Sequence, residues 1–540
     1  MTSTDSVPEI YDYIVLGGGT AGCALAAQLS RDPKLRVLLL EAGPWDRSPH
    51  IRMPTGIREM TRKKMFLWSD LSEPDEELRG RVMEIPHGRV IGGGGSVNYM
   101  AHIRGHPNDY ARWVEGGAEG WSYDEVLPYF ESTEAWSGET DIRRGRTGPI
   151  GARPGLMKDP AYDAWFSAVA ATGFQRTPDY NGAQPEGFGS LQYSIRGGQR
   201  SSTASEMLRP ALKRPNLEVV TDALADRLLF DGTHVLGAAY TKNGRRIEVQ
   251  SRVRTVVCMG AINTPQFLML SGIGPAEHLK TMGIQPVADL PVGRGLQDHL
   301  GIFMMWARKD ASHFQKSLRL DRAAIGMLRA MTLRTGPFSC LPGTIVGFAK
   351  SKPSAVQPDL QYFLNLAPPT ADIWFPGVKK KYDDAMGVRV QLTGQKSRGH
   401  VRLASPDPRV RPQITYNSLS HPDDLAAMRE GFKHAWNIAS ARPLTPHRGA
   451  ALFPTERPKD DKAIDDFIRD TAIQLYHPSC TCQMGDGPDA VLTSDLNVKG
   501  VSGLAVVDAS AMPNLVSANP NVPITMMAAK IADKWMGRTL

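Results

Sequence analysis

Tyr11-Asp-Tyr-Ile-Val-Leu-Gly17-Gly-Gly19-Thr-Ala-Gly22 decides the fold. Residues 11–16 read as a buried strand, and the Ala/Leu-rich stretch from about 20 to 30 reads as a helix. Between them the spacing Gly17-x-Gly19-x-x-Gly22 has a physical reason at each position. The first glycine makes the tight turn, the second lets backbone approach a pyrophosphate, and the third lets helix and strand pack closely. The helix N-terminus then offers unpaired N–H groups and its dipole to phosphate. Arg36-Val-Leu-Leu-Leu-Glu41 is the next strand, completing a βαβ unit. Glu41 falls 19 residues after Gly22, where a carboxylate can accept ribose hydroxyls. Strand, turn, helix and acid together imply a site for an adenine dinucleotide, FAD or NAD.

Further along, residues 87–98 form a second glycine-rich loop. Residues 214–220 and 252–260 read as strands, and Arg227 to Tyr240 reads as a hairpin turning at Asp231-Gly232. Residues 301–470 differ, with scattered methionines, Pro-rich turns and alternating stretches such as His400-Val-Arg-Leu. They read as a separate substrate-facing sheet with helices. A chain of 540 residues is too long for one ordinary core. The expected fold is α/β (α+β overall), a Rossmann-like dinucleotide domain with a discontinuous substrate domain on an antiparallel sheet. The boundaries expected are 1–155, 195–300 and 475–540 for the first, and 156–194 and 301–474 for the second.

Hydrophobic content of 41% and charge of 22% suit a soluble globular protein. The net charge of +7 is spread out, with no basic run interleaved with aromatics, which argues against nucleic acid. Cys23, Cys258, Cys340, Cys480 and Cys482 are an odd, sparse set. They imply a reducing compartment rather than a disulfide framework, and no zinc-like spacing, so no metal is expected. The N-terminus lacks the basic start of a signal peptide, and no apolar run is long enough to span a bilayer. The expectation is a cytoplasmic protein, peripheral to the inner face of the membrane at most.

Near the C-terminus, His477-Pro-Ser-Cys-Thr-Cys-Gln-Met-Gly485 and Ser517-Ala-Asn519-Pro-Asn-Val-Pro offer a titratable base and a polar amide. Alone, each would read as an ordinary turn. They stand, however, in a longer series. Gly88-Arg-Val-Ile-Gly-Gly-Gly-Gly-Ser-Val-Asn98, Ile103-Arg-Gly105, Gly260-Ala-Ile-Asn-Thr-Pro265 through Ser271-Gly-Ile-Gly274, Pro291 through His299, and Val507-Asp508-Ala-Ser-Ala-Met-Pro513 complete it. In this order the chain resembles the glucose-methanol-choline (GMC) oxidoreductases, FAD enzymes that oxidise alcohols, nearly end to end. Within that family it is most similar to bacterial alcohol and choline dehydrogenases.

The resemblance implies FAD-dependent oxidation of an alcohol to an aldehyde, with hydride passing to flavin N5. His477 would be the base and Asn519 its hydrogen-bonding companion, with Asn521 as a rival amide that is structural or touches the flavin. It implies that Gly17, Gly19, Thr20, Ala21, Gly22, Glu41 and Ala42 surround the AMP half, with Ala225 near adenine. Arg89, Gly93, Gly94, Asn98 and Met100 would line the pyrophosphate and isoalloxazine, with Trp68 alongside. Asp508, Ala509 and Pro520 would cover the ribityl and pyrimidine end. Val97 stands where some members carry the histidine that links to flavin, so the FAD is expected to be non-covalent. Thr344 and Phe363 stand where choline-specific members carry a glutamate and a polar histidine, which points to a neutral, primary alcohol. Oxygen, a quinone or a carrier protein are all open as electron acceptors. An alcohol oxidase, a choline-type dehydrogenase, a hydroxynitrile lyase and a fatty-acid photodecarboxylase remain as alternatives on the same fold. His299 reads as a hydrogen-bonded structural histidine, with a place near the active-site entrance as its alternative. His102 and His106 read as structural, Met304, Met305, Met327 and Met331 as core filling, Asp75-Glu-Glu77 as a solvated loop, and Ser201-Ser202-Thr203 as a turn into a helix.

Overall fold

The computed structural model describes residues 8–139, 143–156, 159–365, 368 and 370–538. The opening stretch forms strand Glu9–Leu16, whose last four residues are fully buried, and helix Thr20–Leu29 follows at once. That helix has no acidic residue in its first turn and no side-chain cap, so its leading N–H groups stay free for a ligand. The strand lies between Val37–Leu40 and Arg245–Val257, parallel to both, and Leu217–Val220 extends the sheet beyond Val37–Leu40. Ile14, Val15, Leu16 and Leu39 are completely enclosed, each worth about 1.5–3 kcal/mol of burial.

Arg245–Val257 begins seven residues earlier than the sequence reading placed it. Its first half pairs antiparallel with His234–Lys242, which turns back through Gly232 to Leu224–Asp231, the hairpin read from Asp-Gly. The polar surface of this half hid the strand, because cross-strand hydrogen bonding rather than burial holds it. The last three residues, Thr255–Val257, pair instead with Leu504–Val506 from near the C-terminus. The sheet thus forks.

A second seven-stranded sheet runs Arg448–Phe453, Leu300–Arg308, Ala385–Leu392, Leu360–Asn365, Thr344–Ala349 and Gly187–Ser190, antiparallel throughout, with Ile473–Gln474 paired beside Leu300–Gly301. Its outer face packs Met304, Val388, Leu364 and Ile345 under helices Ala161–Ala171 and Pro422–Ser440. Its inner face roofs a cavity of about 1640 Å³. From the same region, Gly399–Arg402 pairs instead with Arg294–Leu296 and takes Gln413–Thr415 on its other side.

Three readings need correction. Asp75 is buried, with its carboxylate accepting from the Ser418 N–H at 3.0 Å, so it pins a turn rather than facing water. Met304 does fill core, but Met327 lines the cavity and Met331 is 63% exposed. Both come from helix Leu320–Thr332, which covers the cavity's outer lobe. All five cysteines are buried free thiols. Among the described residues no helix is long and apolar enough to cross a membrane.

Gly22 is where the turn is least forgiving, because a Cβ there would lie 1.9 Å from the Gly17 carbonyl oxygen. Gly22→Ala should therefore destabilise the protein by about 1–3 kcal/mol, read as a lowered thermal unfolding midpoint. An unchanged midpoint would contradict the close packing of helix on turn.

Candidate active site

The cavity runs from the glycine turn to His477. Gly17, Gly19, Thr20, Ala21, Glu41, Ala42 and Ala225 line one end. Gly22 does not line it and serves packing alone. Glu41 is buried, with one oxygen accepting from Gly18 N–H at 2.8 Å and the other from Gly43 N–H at 2.7 Å. Burial lifts its carboxyl to about 7 against the pull of those two donors. Each oxygen keeps a lone pair for a further donor, as ribose would require.

The middle of the cavity is lined by Trp68, Arg89, Gly93, Gly94, Val97, Asn98 and Met100. Gly93 has φ +50° and packs so closely on Gly19 that a Cβ would meet its Cα at 2.8 Å. The two glycine loops therefore form one cradle. Arg89 lies 4.5 Å over the Trp68 ring, leaving its charge toward the cavity. Asn98 is oriented by its oxygen, which accepts from Met100 N–H at 3.0 Å and from Arg200 Nη1 at 2.7 Å. Arg200 was missed in the sequence. It is fully buried, also donates to Ile51 O and Gly95 O, and fastens the second loop from a distance of 105 residues. No local pattern marks it.

At the far side Asp508, Ala509 and Pro520 line the cavity. Asp508 caps a short helix and accepts from Ser510, Gly260 N–H and Thr264. With both oxygens occupied by protein donors, it shapes the wall. Asn521 donates to the Thr20 hydroxyl at 2.8 Å, tying the last helix to the first.

His477 follows strand Ile473–Gln474. Tyr476 takes φ +66° between them, an uncommon conformation for a bulky residue, and the chain turns there. Backbone bonds from Leu475 N to His299 O, and both ways between Ser479 and Gln297, lace this segment to Gln297–His299. Asp298 accepts the His477 N–H at 2.8 Å. The imidazoles then meet, with Nδ1 of His477 3.0 Å from Nδ1 of His299. His299 Nε2 faces the Val516 carbonyl at 3.1 Å. A carbonyl can only accept, so His299 Nε2 carries the proton and its Nδ1 is bare. His477 must donate from Nδ1, which leaves its Nε2 bare. That nitrogen faces the cavity and receives the Asn519 Nδ2–H at 2.9 Å. Asn519 Oδ1 is buried without a partner, an orphan acceptor beside the base.

Burial, then the neighbouring His299 and Arg389, hold His477 well below an ordinary histidine. His299 is pushed down to about 4, chiefly by burial. Both rings are neutral at neutral pH, as a proton acceptor requires. His299 was read as structural. It is hydrogen-bonded and buried, but its partner is His477, the candidate base, whose ring it positions. His102 and His106 hold Glu134 with Ser194 and a helix N-terminus, respectively. Thr344 and Phe363 both line the cavity from the roof sheet.

The family description "GMC oxidoreductase" matches residues 11–301 and 395–528. The oxygen-dependent choline dehydrogenase of Rhizobium etli is 37% identical over 531 residues, covering 98% of this chain and 96% of that one. The mitochondrial choline dehydrogenase of Mus musculus is 39% identical, covering 97% and 89%. Among solved structures, a pyridoxine 4-oxidase superposes with a TM-score of 0.87 at 29% identity, covering 98% of this chain and 100% of that one.

The kcat/KM profile should hold its acid side until well below pH 6.5, because the neutral form of His477 persists above its lowered pKa. Burial lifts Asp298 to about 7, so the limb is assigned with Asp298→Asn, in which it should remain. His299→Gln keeps an acceptor for Nδ1 and removes the ring that, after burial, most opposes a second proton on His477, so the limb should move up, though burial keeps it below 6.5. A parent limb at 6.5 or above would overturn the lowered pKa of His477.

Proposed function

The chain belongs to the GMC oxidoreductase family, and on that premise we propose that it oxidises a primary, non-cationic alcohol to an aldehyde, with His477 as base and Asn519 as its partner. As a member of this family it is an FAD-dependent oxidoreductase acting on CH–OH groups. The observation that carries the residue assignment is the bare Nε2 of His477, faced by the Asn519 amide inside the cavity that begins at Glu41.

The residues present suit FAD: a glycine cradle without side chains, a free helix N-terminus, a buried acid with acceptor capacity left on both oxygens, and the orphan oxygen of Asn519. Gly17, Gly19, Thr20, Ala21, Ala42, Glu41 and Ala225 would hold the AMP half. Arg89, Gly93, Gly94, Asn98, Met100 and Trp68 would hold the middle, and Asp508, Ala509 and Pro520 the far end. Bound FAD supplies the hydride acceptor. The chain's own residues do the rest. Asn519 and His477 orient the hydroxyl, His477 Nε2 takes its proton, and the Phe303 and Phe363 rings of the roof shield the site from water. The carbinol C–H leaves as hydride, so one proton and one hydride are lost and a carbonyl forms.

We assign residues 1–155, 195–300 and 475–540 to the FAD module and 156–194 with 301–474 to the substrate module; the two large sheets support this division. Electrons would leave to oxygen, a quinone or a carrier protein, and peroxide counted per aldehyde separates the first from the others. The choline dehydrogenases among the relatives offer a cationic substrate, which Thr344 and Phe363, a hydroxyl and an apolar ring, do not balance.

His477→Ala should slow anaerobic flavin reduction by alcohol about 10²–10⁴-fold while the protein keeps its FAD. Reduction at the parent rate would remove His477 from the chemistry. Val97 lines the cavity without a nucleophile, so acid precipitation should leave the yellow colour in the supernatant. A yellow pellet would mean a covalent link elsewhere.

A further inference from the structure

The roof sheet places a cation in the cavity that alcohol oxidation does not require. Arg389 stands mid-strand in Ala385–Leu392, directly opposite Phe303 on one side and Phe363 on the other. Side chains alternate along a strand. Val388 and Val390 pack into the roof's outer core, so Arg389 points inward with Phe363 and lines the cavity. Its guanidinium stacks on Phe363, 4.2 Å from the ring centroid. Its Nε is sealed from solvent without a hydrogen-bond partner, and among the described residues no carboxylate pairs with it. Other enclosed arginines are met by the protein itself: Arg200, without an acid among the described residues, donates to Ile51 O, Gly95 O and Asn98 Oδ1. Arg144 is met by Glu134 and Asp179, and Arg308 by Asp159 and Asp310.

Arg389 is half-buried with its Nε sealed from water, and a guanidinium so shielded is costly unless an anion meets it. Burial brings Arg389 down only to about 10, so it is cationic at neutral pH. The stacked ring fixes the plane of the fork and leaves its edge N–H groups for a ligand, the geometry that accepts a carboxylate through two bonds. Arg389 is also close to the base. Two residues along the same face, about 7 Å, Gln391 approaches His299 Nδ1 at 3.5 Å, and His299 holds His477.

We propose that Arg389 anchors a carboxylate on the substrate, so that the alcohol oxidised is a hydroxy acid whose carbinol lies a few bonds from its acid group. This rests on the alcohol oxidation proposed above and narrows its substrate class. The neutral alcohol expected from Thr344 and Phe363 reflects those two positions alone, and Arg389 adds the charge they do not show. It also disfavours choline, since a quaternary ammonium would sit against a fixed cation.

The test uses the FAD-loaded enzyme in two arms. In the first, anaerobic flavin reduction compares unbranched ω-hydroxy acids and 4-(hydroxymethyl)benzoate with the matched uncharged alcohols. The apparent second-order rate should favour at least one hydroxy acid over its partner by roughly tenfold or more, mainly through a lower Kd. In Arg389→Met that ratio should collapse toward one, and Arg389→Lys, which keeps charge but loses the fork, should fall between. In the second arm, benzoate should perturb the visible flavin spectrum of the parent and bind Arg389→Met at least tenfold more weakly. This arm needs no turnover, so it tests the anion site even if no alcohol reduces the flavin, an outcome that would instead sink the proposed oxidation. Equal use of acids and matched alcohols throughout, with benzoate bound equally by parent and variant, overturns the proposal. So does an Arg389→Met that shifts the flavin midpoint potential while leaving acid selectivity and benzoate affinity unchanged, since Arg389 would then serve the cofactor.

Discussion

Three residue pairs carry the architecture. Thr255, Val256 and Val257 accept Leu504, Ala505 and Val506 as a parallel neighbour, and this short contact returns the C-terminal part of the chain to a sheet begun by its first strand. From it Val507 continues with a hydrogen bond to Val257 O, and Asp508 takes Gly260 N–H and Thr264. Asn519 and Asn521 then arrive at the cavity within a few residues of each other. Nothing local would hold a three-residue strand in place; its stability comes from enclosure, since Leu504, Ala505 and Val506 are at most 1% exposed. The meeting of the glycine turn with the segment that carries Asn519 is thus bought by ordinary hydrophobic burial.

The second constraint is directional. A histidine base needs one bare nitrogen aimed at the substrate, and a neutral imidazole alone does not choose which. Here the choice begins at a carbonyl. Val516 O can only accept, His299 relays the consequence, and His477 is left with Nε2 open. His299 is fully buried and His477 is open only on its cavity side, and both are held below the ordinary histidine range. One backbone oxygen, three residues before Asn519, therefore sets the tautomer of a side chain on a different segment.

What was legible in the sequence divides along this line. The glycine turn, its helix and Glu41 could be read because their physics is local. Spacing and backbone conformation are both written within about 30 residues. The hairpin at Asp231-Gly232 was legible for the same reason. His477 and Asn519 were readable only through a resemblance, since a His-Pro and an Asn-Pro have no local mark of chemistry. Arg200 and the role of His299 were not readable, because each acts across more than 100 residues on a group that sequence neighbours do not predict. Asp75 failed in the opposite way: three consecutive acids look solvated, yet a single N–H at Ser418 is enough to bury the first of them.

Charge inside the molecule completes the argument. The interior tolerates many ionisable groups, and nearly every case has a visible reason. Glu134 is held far below the carboxylate range despite its burial, with Arg104, His102 and Arg144 outweighing desolvation. Glu41 goes the other way, because two backbone N–H groups do not offset the loss of water. Asp508 follows Glu41 with hydroxyl and N–H donors only. These differences track whether a full opposite charge is present. Arg200 has no acid among the described residues but directs its donors to Ile51 O, Gly95 O and Asn98 Oδ1. Arg389, set into a cavity wall against an aromatic face with neither acid nor carbonyl meeting it among the described residues, is half of a pair whose other half comes with the ligand.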